Sequence, residues 1–121
     1  MYNILVCDDE KDIVSALKIY LTADGYRVFE AYNGREALEV LKRQEIHLVL
    51  MDIMMPVMDG LEATRRIRAL SRSDEQSVVI LAMTAQCTSD SISQSQKAGM
   101  NGHLIKPLDS EKMIEMILQS L

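Results

Sequence analysis

The sequence predicts a doubly wound α/β fold, with five parallel strands in the order 2-1-3-4-5 and helices on both faces. Three observations carry that expectation. Short apolar runs suited to strands alternate five times with segments of helical periodicity, the pattern of right-handed crossovers onto a parallel sheet. Two of the runs, Leu48-Val49-Leu50-Met51 and Val78-Val79-Ile80-Leu81-Ala82-Met83, are apolar on both faces, as strands in the middle of a covered sheet are. Four of the runs end at residues capable of chemistry, and doubly wound sheets keep their reactive groups beyond the carboxyl ends of their strands.

Taken in order, Tyr2–Cys7 reads as a buried strand that stops at Asp8-Asp9-Glu10. From Lys11 to about Asp24, Ile13, Ala16, Leu17, Tyr20 and Leu21 recur at helical spacing, and Gly25 closes the helix. Arg27–Ala31 alternates like a more exposed strand, and Asn33-Gly34 opens a helix whose Ala37, Leu38 and Leu41 face inward. Ile46–Asp52 is the central strand, with His47 a surface residue before it. Gly60 to about Ser71 forms a helix through Leu61, Thr64, Ile67 and Leu70, and residues 71–76 form a polar surface loop. The strand Val78–Met83 ends at Thr84-Ala85. The following helix, Ser89–Gly99, has good caps but only Ile92 and Ala98 as apolar contacts, so it should be poorly anchored. His103–Lys106 is the last strand, and Pro107 stops it. Asp109-Ser110 then caps a helix that uses Met113, Ile114, Ile117, Leu118 and Leu121.

Composition narrows the function. A chain of 121 residues fits one domain, 1–121, and 48% hydrophobic residues suit a folded core. Thirteen basic against eighteen acidic residues give a net charge of −5, which repels nucleic acid. No apolar run approaches the roughly 20 residues of a membrane span, and the N-terminus lacks the form of a signal peptide, so the expected compartment is the cytoplasm. Cys7 and Cys87 are then read as free thiols.

In the order 2-1-3-4-5 the first and third strands are neighbours at the switch point, so Asp8, Asp9 and Asp52 converge, with Thr84 and Lys106 on the same edge. Two carboxylates about 4 Å apart repel by roughly 4 kcal/mol at an effective dielectric near 20. Such a cluster either retains a proton or takes a hard divalent cation, and oxygen ligands without Cys or His suit Mg²⁺. The cation invites phosphate. Lys106 and the Thr84 hydroxyl can hold further phosphoryl oxygens while Asp52 acts as nucleophile and becomes an acyl phosphate.

These residues resemble response-regulator receiver domains, the phosphoacceptors of two-component signalling. The shared pieces are Asp8-Asp9, Asp52 with Met55-Pro56 and Met58-Asp59-Gly60, Thr84-Ala85, and Lys106-Pro107, and the likeness covers essentially the whole chain. The resemblance implies a flavodoxin-like fold and transfer of a phosphoryl group to Asp52 from a sensor histidine kinase or histidine phosphotransfer protein. It implies Mg²⁺ held by Asp9, Asp52 and the Met54 carbonyl with Asp8 helping through water, and a cis Lys106–Pro107 peptide. It also implies a switch in which Thr84 and the residue at 103 move together and remodel the surface of the fourth helix, fifth strand and fifth helix. That residue is His103, where the family more often has Tyr or Phe; an imidazole adds a charge that titrates near pH 6.5. Met54 and Gln86 occupy positions that in the family influence acyl-phosphate lifetime. The domain would catalyse only its own phosphorylation and dephosphorylation, and would be a monomer when unphosphorylated. Its downstream target is not identified.

Three rival classes fit less well. A haloacid-dehalogenase-like phosphatase would place a second Asp two residues after a first-strand nucleophile, where Glu10 stands, and would need a cap over its substrate. A flavodoxin-like nucleotide binder would need a Ser/Thr/Gly-rich phosphate loop in place of Asp8-Asp9. A receiver fold used only as an interaction module would have no need of all five chemical groups.

Overall fold

The computed structural model describes residues 1–70, 78–85 and 88–121. Its elements run β1 (Asn3–Cys7), α1 (Lys11–Ala23), β2 (Arg27–Ala31), α2 (Gly34–Arg43), β3 (Leu48–Asp52), α3 (Gly60–Ala69), β4 (Val79–Thr84), α4 (Ser89–Ala98), β5 (Gly102–Ile105) and α5 (Ser110–Ser120). The sheet is parallel throughout, in the order β2-β1-β3-β4-β5. The expected doubly wound architecture is therefore present. The expected loop over 71–76, Gln86 and Cys87 lie outside the described residues.

Alternation along the central strands builds the two apolar layers. Leu5, Cys7, Val49 and Met51 point to the layer shared with α2 and α3, where Ala37, Leu38, Leu41, Ala63 and Ile67 meet them. Ile4, Val6, Leu48 and Leu50 point the other way, to Val14, Leu17 and Leu21 of α1 and to Met113 and Ile117 of α5. Every residue of β3 is buried, which is why its sequence shows no polar alternation. Edge strand β2 is mostly half-exposed, matching its mixed sequence.

Helix starts follow local chemistry. Asn33 accepts the Glu36 N–H at 2.9 Å, and the Glu36 carboxylate reaches back to the Tyr32 N–H at 3.0 Å. Asp59 accepts the Glu62 N–H at 2.8 Å, and Asp109 accepts the Glu111 N–H at 3.0 Å. Such caps satisfy donors that a helix leaves unpaired.

Several inward positions differ from expectation. In α1 the buried stripe is Val14, Leu17 and Leu21, while Ala16 and Tyr20 are exposed. The helix lies on the sheet along a narrow stripe, so its broader apolar flank turns toward α5. There Leu118, expected in the core, is 62% exposed. Tyr20, Ala23, Ile114 and Leu118 instead line an open groove between α1 and α5, with Asp24, Glu111 and Glu115 beside them. Ala63 joins the buried face of α3. His47 is half-buried: its Nδ1 accepts the Asn3 N–H at 2.9 Å, and its ring meets Tyr2 edge-on at 5.3 Å.

Gly60 fixes how α3 leaves β3. Its N–H donates to the Ile53 carbonyl at 2.9 Å, and a Cβ there would collide with the Asp52 carbonyl. Gly60→Ala should lower stability by about 2 kcal/mol, read as a lower denaturation midpoint; an unchanged midpoint would contradict this packing.

Candidate functional site

The site is assembled by strand register. Cys7 and Met51 are partners across β1 and β3, so the residues that follow them, Asp8 and Asp52, emerge side by side. Carboxylate oxygens of Asp8, Asp9 and Asp52 lie within 4.8 Å of one another. Asp8 is fully buried, Asp52 nearly so, and Asp9 is exposed at the mouth. The Asp8 carboxylate also accepts the Glu10 N–H at 3.0 Å, which holds the turn into α1.

Lys106 spans the cluster. It follows β5, and its N–H donates to the Thr84 carbonyl at 2.8 Å, which ties the ends of β4 and β5 together. Its Nζ lies 2.7 Å from Asp8 Oδ2 and 3.3 Å from Asp52 Oδ1. One ammonium against three carboxylates leaves the group two charges negative. Burial, and then the Asp8 charge, push the Asp52 carboxyl up to about 6, with Lys106 and the Met54 N–H pulling partly the other way. Burial pulls the Lys106 ammonium down, but the hydrogen bond to Asp8 and the charges of Asp52 and Asp8 outweigh it, so its pKa is raised. The Lys106–Pro107 peptide is cis.

The other expected residues stand around this cluster. Thr84 ends β4, half-buried, opposite Ile105. His103 pairs with Ala82 two residues earlier, so Thr84 and His103 are on one face of the sheet. The His103 Nε2 is buried with no hydrogen-bond partner among the described residues, and burial lowers its pKa. Met54 donates its N–H to Asp52, and its side chain is 80% exposed. Cys7 lies beneath the carboxylates, its thiol donating to the Asn33 carbonyl at 3.3 Å. Burial and the neighbouring Asp8 and Asp52 raise its pKa, which keeps it a thiol.

Sequence reasoning did not find two features. Val57 sits at φ 67°, with the Met58 N–H returning to the Pro56 carbonyl at 2.7 Å, a tight turn that is strained for a β-branched residue. Arg68 of α3 binds the Val78 and Gly99 carbonyls and the Asn101 side chain. A pairing over 33 residues of sequence leaves no local signal.

The donor set is all oxygen: carboxylates from two strand ends, with Asp9 open to solvent. That suits a hard divalent cation of Mg²⁺ type, which keeps waters and takes few carboxylates. The family profile of the response regulator receiver domain matches residues 4–118. The chain belongs to this family. Receivers are the phosphorylation-based switches of two-component signalling, and this one is 30% identical to sporulation initiation phosphotransferase F of Bacillus subtilis over 98% of its length and 93% of the relative's. It is 38% identical to the CAI-1 autoinducer sensor kinase/phosphatase CqsS of Vibrio cholerae over 95% of its own length, but spans only 17% of that protein. It likewise spans 24% of the transcriptional regulatory protein ZraR of Klebsiella oxytoca. Among solved structures, chemotaxis protein CheY4 of Vibrio cholerae superposes with a TM-score of 0.92 at 28% identity, covering 100% of this chain and 99% of the other. The receiver domain of sensor histidine kinase PA1611 of Pseudomonas aeruginosa, solved with magnesium in its active-site cleft, gives 0.86 at 31% identity, covering 98% and 95%. Among the described residues of the receiver, no helix is long and apolar enough to cross a membrane.

The raised Asp52 pKa makes a signed prediction. A carboxyl that titrates near 6 when folded and near 3.8 when unfolded holds its proton more tightly in the native state. It therefore lowers stability as pH rises through that window. In magnesium-free buffer, Asp52→Asn should stabilise the receiver above pH 6 by up to about 3 kcal/mol, and the gain should shrink as pH falls from 6 to 4. Denaturation midpoints of both proteins across that range check it; a gain independent of pH would contradict it.

Proposed function

We propose that Asp52 is the phosphoacceptor of this receiver, and that it takes its phosphoryl group from a phosphohistidine on a sensor histidine kinase or histidine phosphotransfer protein. The observation that carries the reading is the Lys106 ammonium placed between Asp8 and Asp52, inside a cluster that also includes Asp9. Above pH 6 Asp52 is anionic and nucleophilic. As its oxygen bonds to phosphorus, the bond from phosphorus to the donor's imidazole nitrogen breaks, and the imidazole departs with a proton. Lys106 holds one Asp52 oxygen beforehand and fixes the carboxylate plane, then offers its charge to the arriving phosphoryl oxygens. The hydroxyl of Thr84, which ends the adjacent strand, would donate a hydrogen bond to another of those oxygens.

Asp9, Asp52 and the Met54 carbonyl would hold Mg²⁺, with Asp8 acting through water; the ion supplies positive charge against the charge that develops on the phosphoryl group. Hydrolysis by water returns Asp52 to the free carboxylate, so the chemistry begins and ends on the receiver itself. Thr84 and His103, on one sheet face, would carry the change to the surface of α4, β5 and α5. The unphosphorylated form is read as a monomer of the cytoplasm.

The apolar groove between α1 and α5 fits the phosphodonor. Ile13, Ala16, Tyr20, Pro107 and Leu108 line its upper part, which opens beside Lys106, and Asp24, Glu111 and Glu115 stand beside its lower part. A helix with an apolar stripe and basic flanks would lie there with its histidine toward Asp52.

Three outcomes test this reading. A small-molecule phosphodonor with Mg²⁺ should give a phosphoryl label on Asp52 that Asp52→Asn abolishes, and Mg²⁺ alone at a hundredfold excess over its dissociation constant should add about 2.7 kcal/mol of stability. Persistent label in the Asn variant would show the nucleophile to be another residue. Tyr20→Asp should slow transfer from a competent histidine kinase at least about tenfold while leaving small-molecule labelling unchanged; equal slowing of both would place Tyr20 outside partner docking.

A further inference from the structure

Strand β5 is weakly fixed by its own sequence. It has four residues, lies at the edge of the sheet and pairs only with β4. Leu104 is the one residue of the strand that is buried. A slip of two residues would keep every side chain on its present face, and along a strand it moves the chain by about 7 Å. Lys106 follows directly, so such a slip would carry its ammonium away from Asp8 and Asp52, now 2.7 and 3.3 Å distant. A contact outside the strand has to set its level.

That contact lies just before the strand begins. Asn101 grips Ile80 of β4 at both of its backbone polar groups: its N–H donates to the Ile80 carbonyl at 2.7 Å, and its Oδ1 accepts the Ile80 N–H at 2.8 Å. Because both bonds go to one buried residue, a slipped strand would break the two together and leave the Ile80 groups unpaired. The Asn101 oxygen is itself held from the other side by Arg68 of α3, whose Nη2 donates to it at 2.8 Å. The same guanidinium donates through Nη1 to the Val78 carbonyl at 2.6 Å and through Nε to the Gly99 carbonyl at 2.9 Å.

Arginine suits this place for two physical reasons. It only donates, so the atom facing it must be the oxygen of the Asn101 amide, and the nitrogen turns away. Its N–H groups also lie fixed in a plane, so acceptors before β4, after α4 and before β5 are held at once without further ordering. Gly99 belongs to the same device, because a Cβ there would come within 2.7 Å of Arg68 Cγ. At the far end of β5 the Lys106 N–H meets the Thr84 carbonyl at 2.8 Å, so the strand is fixed at both ends.

We infer that Asn101, held in place by Arg68, is a positioning residue of the phosphoryl site: it fixes the level of β5 on β4 and thereby the height at which Lys106 meets Asp8 and Asp52. The consequence for phosphoryl transfer rests on the phosphoacceptor reading above; the fixing of the strand does not. Only the oxygen of the Asn101 side chain is used among the described residues. An aspartate there would offer the same acceptor to the same two donors, so it should serve as well, whereas alanine should not.

Labelling of the 121-residue chain by a small-molecule phosphodonor with Mg²⁺, together with amide hydrogen exchange, tests the inference. The proteins compared are the wild type, Asn101→Ala, Asn101→Asp, Arg68→Lys and, as a core control in α2, Leu38→Ala, each well below its denaturation midpoint. Asn101→Ala should slow labelling of Asp52 at least about tenfold, the cost of a displaced ammonium, and speed exchange of the Ile80 and Lys106 amides. Asn101→Asp should stay within about twofold of the wild type in both readouts, and Leu38→Ala should leave the labelling rate unchanged. Arg68→Lys, which keeps the charge and loses the fork, should fall between the wild type and Asn101→Ala. Wild-type labelling in Asn101→Ala, or equal slowing in Asn101→Asp or in Leu38→Ala, would overturn the positioning role. Should Asn101→Ala not fold, Arg68→Lys and Asn101→Asp decide by the same readouts. Absence of label on Asp52 in the wild type would overturn the phosphoacceptor reading instead, and exchange at Ile80 and Lys106 would still decide whether Asn101 fixes the strand.

Discussion

The structure depends on carboxylates that the sheet brings together and on the ammonium that makes their closeness tolerable. Register places Asp8 and Asp52 at adjacent strand ends, where folding removes both from water. Uncompensated, that arrangement would cost several kcal/mol. Lys106, contributed from beyond β5, contacts both, and its contact with the fully buried Asp8 is an ion pair whose loss would strand a charge. The compensation is incomplete, and the incompleteness is useful. A cluster left two charges negative, with one carboxylate open to solvent, is a place where a hard cation would improve the local electrostatics.

The same edge connects chemistry to shape. Thr84 ends β4 beside the cluster, and Lys106 hydrogen-bonds to its carbonyl, so a shift at the site reaches two strand ends at once. Beyond them lies α4, whose buried contacts are small residues confined to its second half. That attachment is slighter than the packing of α2 and α3, which meet the sheet through Leu38, Leu41 and Ile67.

How much of this was legible follows from the range of each interaction. Strands β1, β3 and β4 were readable because burial on two faces forces continuous apolar runs, and the caps at Asn33 and Asp109 were readable because they act over two or three residues. The site could be read because its residues stop strands, so topology alone converges them. The inward faces of α1 and α5 were only half legible: Ala16, Tyr20 and Leu118 have the right spacing and chemistry for a core, yet they line a groove on the surface. Apolar periodicity reports that a face avoids water, without telling whether the sheet or another protein covers it. His47 was misjudged because its backbone partner, Asn3, lies 44 residues away. Arg68 was invisible for the same reason, its acceptors being carbonyls and an amide that no sequence pattern marks.

The central claim, one cation and phosphoryl site formed by Asp8, Asp9, Asp52, Thr84 and Lys106, is tested most directly by a crystal structure of the chain grown with Mg²⁺ and beryllium trifluoride, a stable mimic of the phosphoryl group. The account predicts the mimic bonded to the Asp52 carboxylate, with Lys106 and the Thr84 hydroxyl on its fluorines and Mg²⁺ on Asp9 and Asp52. A mimic bound elsewhere, or a cation that avoids these carboxylates, would contradict it.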